Sequence, residues 1–164
     1  MPELTMQIEL AATPERVWTV LTDFAAYPTW NPYQTIDGKA ARLAVVTMCL
    51  RGLDGRAFPK ARVGIWKFEP NARLELVNGL PLWYSSKRFF HLSPSVRGTI
   101  LRHGIRFSGI RAAWQFSHGH DITRLQPIYE AIERALVQRL NDRHGPYPFQ
   151  NNRRSRRASK ANDR

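Results

Sequence analysis

The hydrophobic pattern of this chain switches from strand to helix period just after residue 120, and that switch restricts what it can fold into. Near the start Met6, Ile8 and Leu10 alternate with Thr5, Gln7 and Glu9, the period-2 signature of a strand with one buried face. Near the other end Ile122, Leu125, Tyr129, Ile132, Leu136 and Leu140 recur every three or four residues, an apolar stripe of a helix about five turns long. Between them, strand-like runs at 33–37, 43–50, 60–68, 73–78, 87–92 and 99–107 are separated by Gly, Pro and Asn turn signals at 52–55, 70–71, 79–81 and 93–98. Connections this short make the sheet antiparallel. Thr13, Pro14 and Glu15 open a helix after the first strand, with a capping hydroxyl, Pro at the first helical position and an acid at the positive dipole end. Asp23 caps a second short helix, which Pro28 and Asn31-Pro32 end. The fold class expected is α+β: a curved antiparallel sheet of about seven strands, its apolar face closed by the long C-terminal helix.

Charge and cysteine content narrow the setting. Lys and Arg number 25 against 13 Asp and Glu, a net +12 over 164 residues. Arg153, Arg154, Arg156, Arg157, Lys160 and Arg164, against Asp163 alone, give the last 20 residues +5 and leave +7 for the other 144. The reading is therefore one domain over 1–144 and a basic, disordered tail over 145–164, which has too few large apolar residues to offset the entropy of ordering it. Such a tail suits nonspecific contact with nucleic acid or an anionic surface, though like-charge blocks are more often simply solvated. Cys49 is the single cysteine, so no intramolecular disulfide forms, and no Cys/His cluster has zinc spacing. It lies in the apolar run AVVTMCL and reads as an inert core thiol. The opening MPELTMQIEL lacks a basic flank followed by an apolar core, and no run approaches the roughly 20 apolar residues of a membrane span. A cytoplasmic domain with no metal and no cofactor is expected.

The segment ATPERVWTVLTDFAAYPTWNPY, residues 12–33, resembles the N-terminal signature of the START-like, or SRPBCC, superfamily: a Pro-started helix, an Asp, then a Tyr-Pro-x-Trp-Asn-Pro turn. Further similarities follow in order: FPKARV at 58–63, LELVNGL at 74–80, GTILRHGIRFSGI at 98–110, and YEAIERALVQRL where the closing helix belongs. The resemblance spans about residues 3 to 142. It implies the helix-grip fold and a cavity between sheet and helix, in which relatives bind lipids, isoprenoids, polyketides or hormones and some catalyse cyclisation or dehydration. The fold alone assigns no reaction.

Alternation places Leu101, His103, Ile105 and Phe107 on the inner face of the last strand, and Arg88, Phe90 and Leu92 on that of its neighbour, with Lys87, Phe89 and His91 facing out. If Ser93 and Gly98 flank the turn, Leu92 pairs with Thr99, Phe90 with Leu101 and Arg88 with His103. Two polar side chains would then meet on an apolar wall, where Arg88 could hold a carboxylate or phenolate and His103 donate or accept a hydrogen bond. The plainer alternative is an Arg88 that snorkels to the rim and a His103 satisfied by Tyr84 or backbone. Trp30, in the family turn, and Trp83, before strand six, are candidates to stack on a planar ligand. Two departures from the family stand out: Arg88 where many relatives carry His, and Ile105 where many carry Glu. Without that carboxylate the obvious general acid or base is missing, which favours binding over catalysis.

No GxGxxG, GxxxxGKS, HExxH or GxSxG motif is present, so nucleotide hydrolysis, zinc proteolysis and serine-hydrolase chemistry have no support. The expectation is a protein that binds a small hydrophobic ligand, with or without an anionic group, through Trp30, Trp83, Arg88, Phe90, Leu101, His103, Ile105 and Phe107. The alternative is a polyketide cyclase or dehydratase-like enzyme using His103 as base.

Overall fold

The computed structural model describes residues 1–142 of the chain, so the basic segment 145–164 lies outside the described residues. Strand β1 (Glu3–Leu10) leads to α1 (Pro14–Thr22), where the Thr13 hydroxyl accepts the Arg16 amide at 3.4 Å and Pro14 opens the helix. Asp23 accepts the Ala26 amide at 3.3 Å and starts a single 3-10 turn, Phe24–Ala26, that runs into the one-turn helix α2 (Tyr27–Trp30). Then come β2 (Gln34–Asp37), β3 (Val45–Leu50), β4 (Ala61–Glu69), β5 (Arg73–Leu80), β6 (Tyr84–Ser95) and β7 (Gly98–Ser108). Helix α3 (Ile110–Ser117), a 3-10 turn at Ile122–Leu125 and α4 (Gln126–Asn141) complete the described chain.

The seven strands form one antiparallel sheet in the order β1-β7-β6-β5-β4-β3-β2, curled around α4. A bulge between Ile65 and Lys67 bends β4 and turns Trp66 out to solvent. The inner face carries two apolar clusters. Val17 and Leu21 of α1, Leu136 and Leu140 of α4, and sheet residues such as Leu74, Leu76 and Leu101 make the larger one. Ile105, Phe107, Ala112 and Tyr129 make the smaller, closed by Tyr84, Phe116, Ile122 and Leu125. Each buried Val, Leu, Ile or Phe side chain stabilises the fold by roughly 1.5 to 3 kcal/mol on burial.

Four details depart from expectation. The β6–β7 turn is Val96-Arg97 alone, with Ser95 opposite Gly98, so the register is two residues further along than expected. Leu92 pairs with Leu101, Phe90 with His103 and Arg88 with Ile105. A slip of two keeps every side chain on its face, so the inward set is unchanged. Phe89 does project outward but is buried, because Gly104 on β7 leaves room for its ring. The closing helix proper starts at Gln126, with Pro127 in its first turn, and Ile122–Leu125 is wound as 3-10. Helix α3 has no counterpart in the sequence reading: of its residues only Ala112 is fully buried, so no core-facing stripe announces it.

Candidate functional site

Strand parity brings Arg88 and His103 to the inner wall, each only 2% exposed. They are not partners. His103, opposite Phe90, has two rings nearly parallel to its own: Phe90 at 6.1 Å between centroids and Tyr129 of α4 at 6.1 Å. Its Nε2 is 3.4 Å from a carboxylate oxygen of Glu133, one helical turn beyond Tyr129. Arg88 donates through Nε to the Tyr129 hydroxyl at 3.0 Å, and through Nη1 to the Gln34 side-chain carbonyl at 2.7 Å and the Met48 sulfur at 3.4 Å. Its guanidinium carbon is 5.0 Å from the centre of the Tyr129 ring, within cation–π range. Tyr129 thus links the two, its hydroxyl on Arg88 and its ring on His103. Burial pushes its phenol up from the ordinary value, against the opposing charge and hydrogen bond of Arg88, so it stays a neutral hydroxyl at physiological pH.

Three buried side-chain nitrogens in this region have no protein partner: Trp30 Nε1, Asn31 Nδ2 and Arg88 Nη2. All are donors. Leaving such groups unpaired costs about 1 to 3 kcal/mol each, more for the charged one. Trp30 and Asn31 come from the end of α2, where the Asn31 side-chain carbonyl accepts the Tyr33 amide at 3.1 Å and fixes the turn. Both border a narrow cavity of ≈ 10 Å³, whose wall also includes Gln34, Phe90, His103 and Glu133. That volume holds about one water molecule. Glu133 also borders a second, more open depression of ≈ 410 Å³ between β1 and α4, with Ile8 and Val137 among its walls. Glu133 is therefore shared by the cavity and the groove.

The expected site residues separate accordingly. Trp30, Phe90, Leu101 and His103 border the cavity. Arg88 reaches it through Gln34. Ile105 and Phe107 belong to the smaller apolar cluster, Phe107 packing on Tyr84 and Phe116. Trp83 is 56% exposed at the surface and does not border the cavity. The rim placement considered for Arg88 is excluded by its burial, and the partner of His103 is Glu133 rather than Tyr84 or backbone. Asn31, Gln34, Tyr129 and Glu133 escaped sequence reasoning. Asn31 sat in the quoted Trp-Asn-Pro turn and Tyr129 in the apolar stripe, but nothing local marked either as a polar contributor. Cys49 is buried, with its thiol 3.4 Å from the Phe58 carbonyl. No group of three or more His, Cys, Asp or Glu side chains among the described residues has metal-binding geometry, and no described helix is long and apolar enough to cross a membrane.

Comparison with known proteins gives a consistent picture. Residues 1–126 match the family described as polyketide cyclase / dehydrase and lipid transport. No curated protein matches the chain. Among solved structures, a protein from Chromobacterium violaceum superposes with a TM-score of 0.65 at 14% identity, covering 84% of this chain and 96% of its own. A protein from Rhodobacter sphaeroides gives 0.64 at 20% identity, over 83% and 90%. The di-domain ARO/CYC StfQ from the steffimycin biosynthetic pathway gives 0.58 at 14% identity, with 83% of this chain matching 48% of that one. Identities this low establish a shared fold.

Proposed function

The chain belongs to the polyketide cyclase/dehydrase and lipid-transport family, and from that footing we propose that it binds a small ligand with an apolar body and a hydrogen-bond acceptor at one end. The acceptor, a carboxylate, phenolate or carbonyl, is held by the donors Trp30, Asn31 and Arg88, and the body lies between the sheet and α4. The observation that carries this reading is the set of three buried side-chain donors without acceptors, in an interior that also holds Gln34, His103 and Glu133. Unpaired donors select an acceptor, and a buried guanidinium selects a charged one most strongly. The ligand enters by displacing side chains, because the cavity as it stands has room for about one water molecule, and Glu133, which borders both cavity and groove, marks the route.

The test uses matched probes: an aromatic carboxylic acid and its methyl ester, titrated against detergent-free protein, with native mass spectrometry for a retained small molecule. We expect one-site binding of the acid, weakened at least about tenfold in Arg88→Met, and a much smaller effect on the ester. Absence of any retained molecule, together with no saturable binding of either probe, overturns the reading.

One observation favours a second reading, catalysis in the same cavity. Glu133 supplies His103 with the carboxylate that its own strand lacks, and an imidazole oriented by a carboxylate is a general-base arrangement. On this reading His103 takes a proton from the bound ligand while Arg88 holds the enolate. Loss of turnover by about 10²-fold or more in His103→Ala supports it, whereas unchanged turnover of every cyclisable polyketide tried removes it.

A further inference from the structure

Trp83, unused by the interior, belongs to a different feature. The β5–β6 turn carries Leu82 at its tip, and the first turn of α3 is fastened to that turn by backbone hydrogen bonds from Ile110 to the Leu82 carbonyl and from Arg111 to the Trp83 carbonyl, both 2.9 Å. Ile110 and Trp114, four residues apart, share the outer face of α3. Leu82, Trp83, Ile110 and Trp114 are therefore neighbours, with exposures from 56% at Trp83 to 86% at Leu82. Scattered exposed apolar residues are ordinary, but two Trp and two aliphatics at one end of a small domain are not. The segments that make this end, 80–85 and 108–120, contain no Asp or Glu and carry Arg111, His118 and His120. Arg111 forms no ion pair among the described residues.

We propose that this end of the molecule is a docking surface for an anionic lipid bilayer, with Leu82 and Ile110 entering the acyl boundary and Trp83 and Trp114 lying at headgroup level. Charge supports a negatively charged occupant, since the patch has basic residues and no acidic ones. Shape supports a deformable one. Leu82 stands at the tip of a hairpin with a positive φ of 68°, a convex wedge, whereas protein hot spots form around pockets that exclude water. Aromatic amphipathic rings beside aliphatic side chains and an arginine fit the interfacial region of a membrane. The proposal is independent of whether the interior holds a ligand. It also places contact with an anionic surface on the folded domain rather than on the Arg-rich segment beyond residue 150.

Full-length protein should cosediment with mixed phosphatidylcholine/phosphatidylglycerol vesicles and much less with phosphatidylcholine alone, with tryptophan emission shifted to the blue and quenched by brominated acyl chains. The informative variant is Leu82→Asp with Ile110→Asp. Asp tolerates the left-handed backbone at position 82 better than Leu does, and an acid in the first turn of α3 suits the helix dipole, so both substitutions preserve the fold. Vesicle binding should fall at least about tenfold. In a second full-length variant, Arg153, Arg154, Arg156 and Arg157→Gln, binding should fall much less. Three results overturn the proposal: wild-type binding by the double Asp variant, abolition of binding by the Arg→Gln variant, or a wild-type dimer that the Asp substitutions turn into a monomer.

Discussion

Arg88 is a cation buried at 2% exposure whose hydrogen-bond partners are a phenol, an amide and a thioether, with no carboxylate among them. Burying a charge without a counter-charge is expensive, and a structural role for it would normally come with an acidic partner. Arg88→Met keeps the unbranched apolar stem and removes the charge. The Gln34 side-chain carbonyl and the Tyr129 hydroxyl then lose their donor, at about 1 to 3 kcal/mol each, against the gain from no longer burying an unpaired charge. We therefore expect a net loss of no more than about 2 kcal/mol in urea denaturation, below the roughly 3 to 5 kcal/mol lost when one partner of a buried ion pair is removed. A loss of that larger size would make Arg88 a structural residue and deprive the ligand reading of its anchor. At this scale the sequence was informative about facing and uninformative about partners. Alternation alone put Arg88 and His103 inside, but Glu133 meets His103 across 30 residues of chain, and the contact depends on the rotation of α4 about its axis, which an apolar stripe defines only to within a residue or two.

Cross-strand chemistry sets the behaviour of the sheet as an element. On the outer face the Glu75 carboxylate of β5 receives Lys87 at 3.2 Å and His91 at 3.2 Å, both from β6. Partial burial by itself raises the Glu75 carboxyl, but the hydrogen bonds from His91 and Lys87 outweigh it and hold the group below its ordinary 4.5. A carboxyl whose folded-state value is depressed contributes stability that is present above the unfolded value and lost as pH falls through the folded one. Stability should accordingly be level above about pH 5 and decline below about pH 4.5. Glu75→Gln should flatten that decline by about 1 kcal/mol or less, since Lys87 and His91 are partly in water; thermal denaturation across pH 3 to 7 measures it, and an unaltered acid limb would assign the decline elsewhere, for instance to Glu3, which Arg106 and Thr5 hold low. The strands themselves were legible because period 2 survives errors in their ends. The β6–β7 register was not, because Pro94 imitates a strand terminator. In the fold β5 begins at Arg73 opposite His91, so β6 has lost that neighbour by Pro94 and needs no amide there on that side.

For the whole molecule, the interior raises the question of how a ligand could be admitted to so small a cavity. The net +12 is largely irrelevant to it, since Arg88 is the one arginine or lysine among the fully buried residues described. The cavity of ≈ 10 Å³ means that binding must work against packed side chains, Leu136 among them. Truncating Leu136 to Ala removes contacts in the larger apolar cluster and leaves a void beside the donors. The loss of stability should be about 2 to 5 kcal/mol, as for other buried Leu→Ala changes. If the interior is where the ligand goes, the same substitution relieves part of the work of opening, so an aromatic carboxylate should bind Leu136→Ala several-fold more tightly than wild type at a temperature where both are folded. Isothermal titration of the two proteins decides the matter. Tighter binding in the less stable variant identifies the interior as the site, because weakening a core improves affinity only when the ligand occupies the space that the core gives up. Equal affinity would move the site to the open groove between β1 and α4, where Leu136 is not part of the wall.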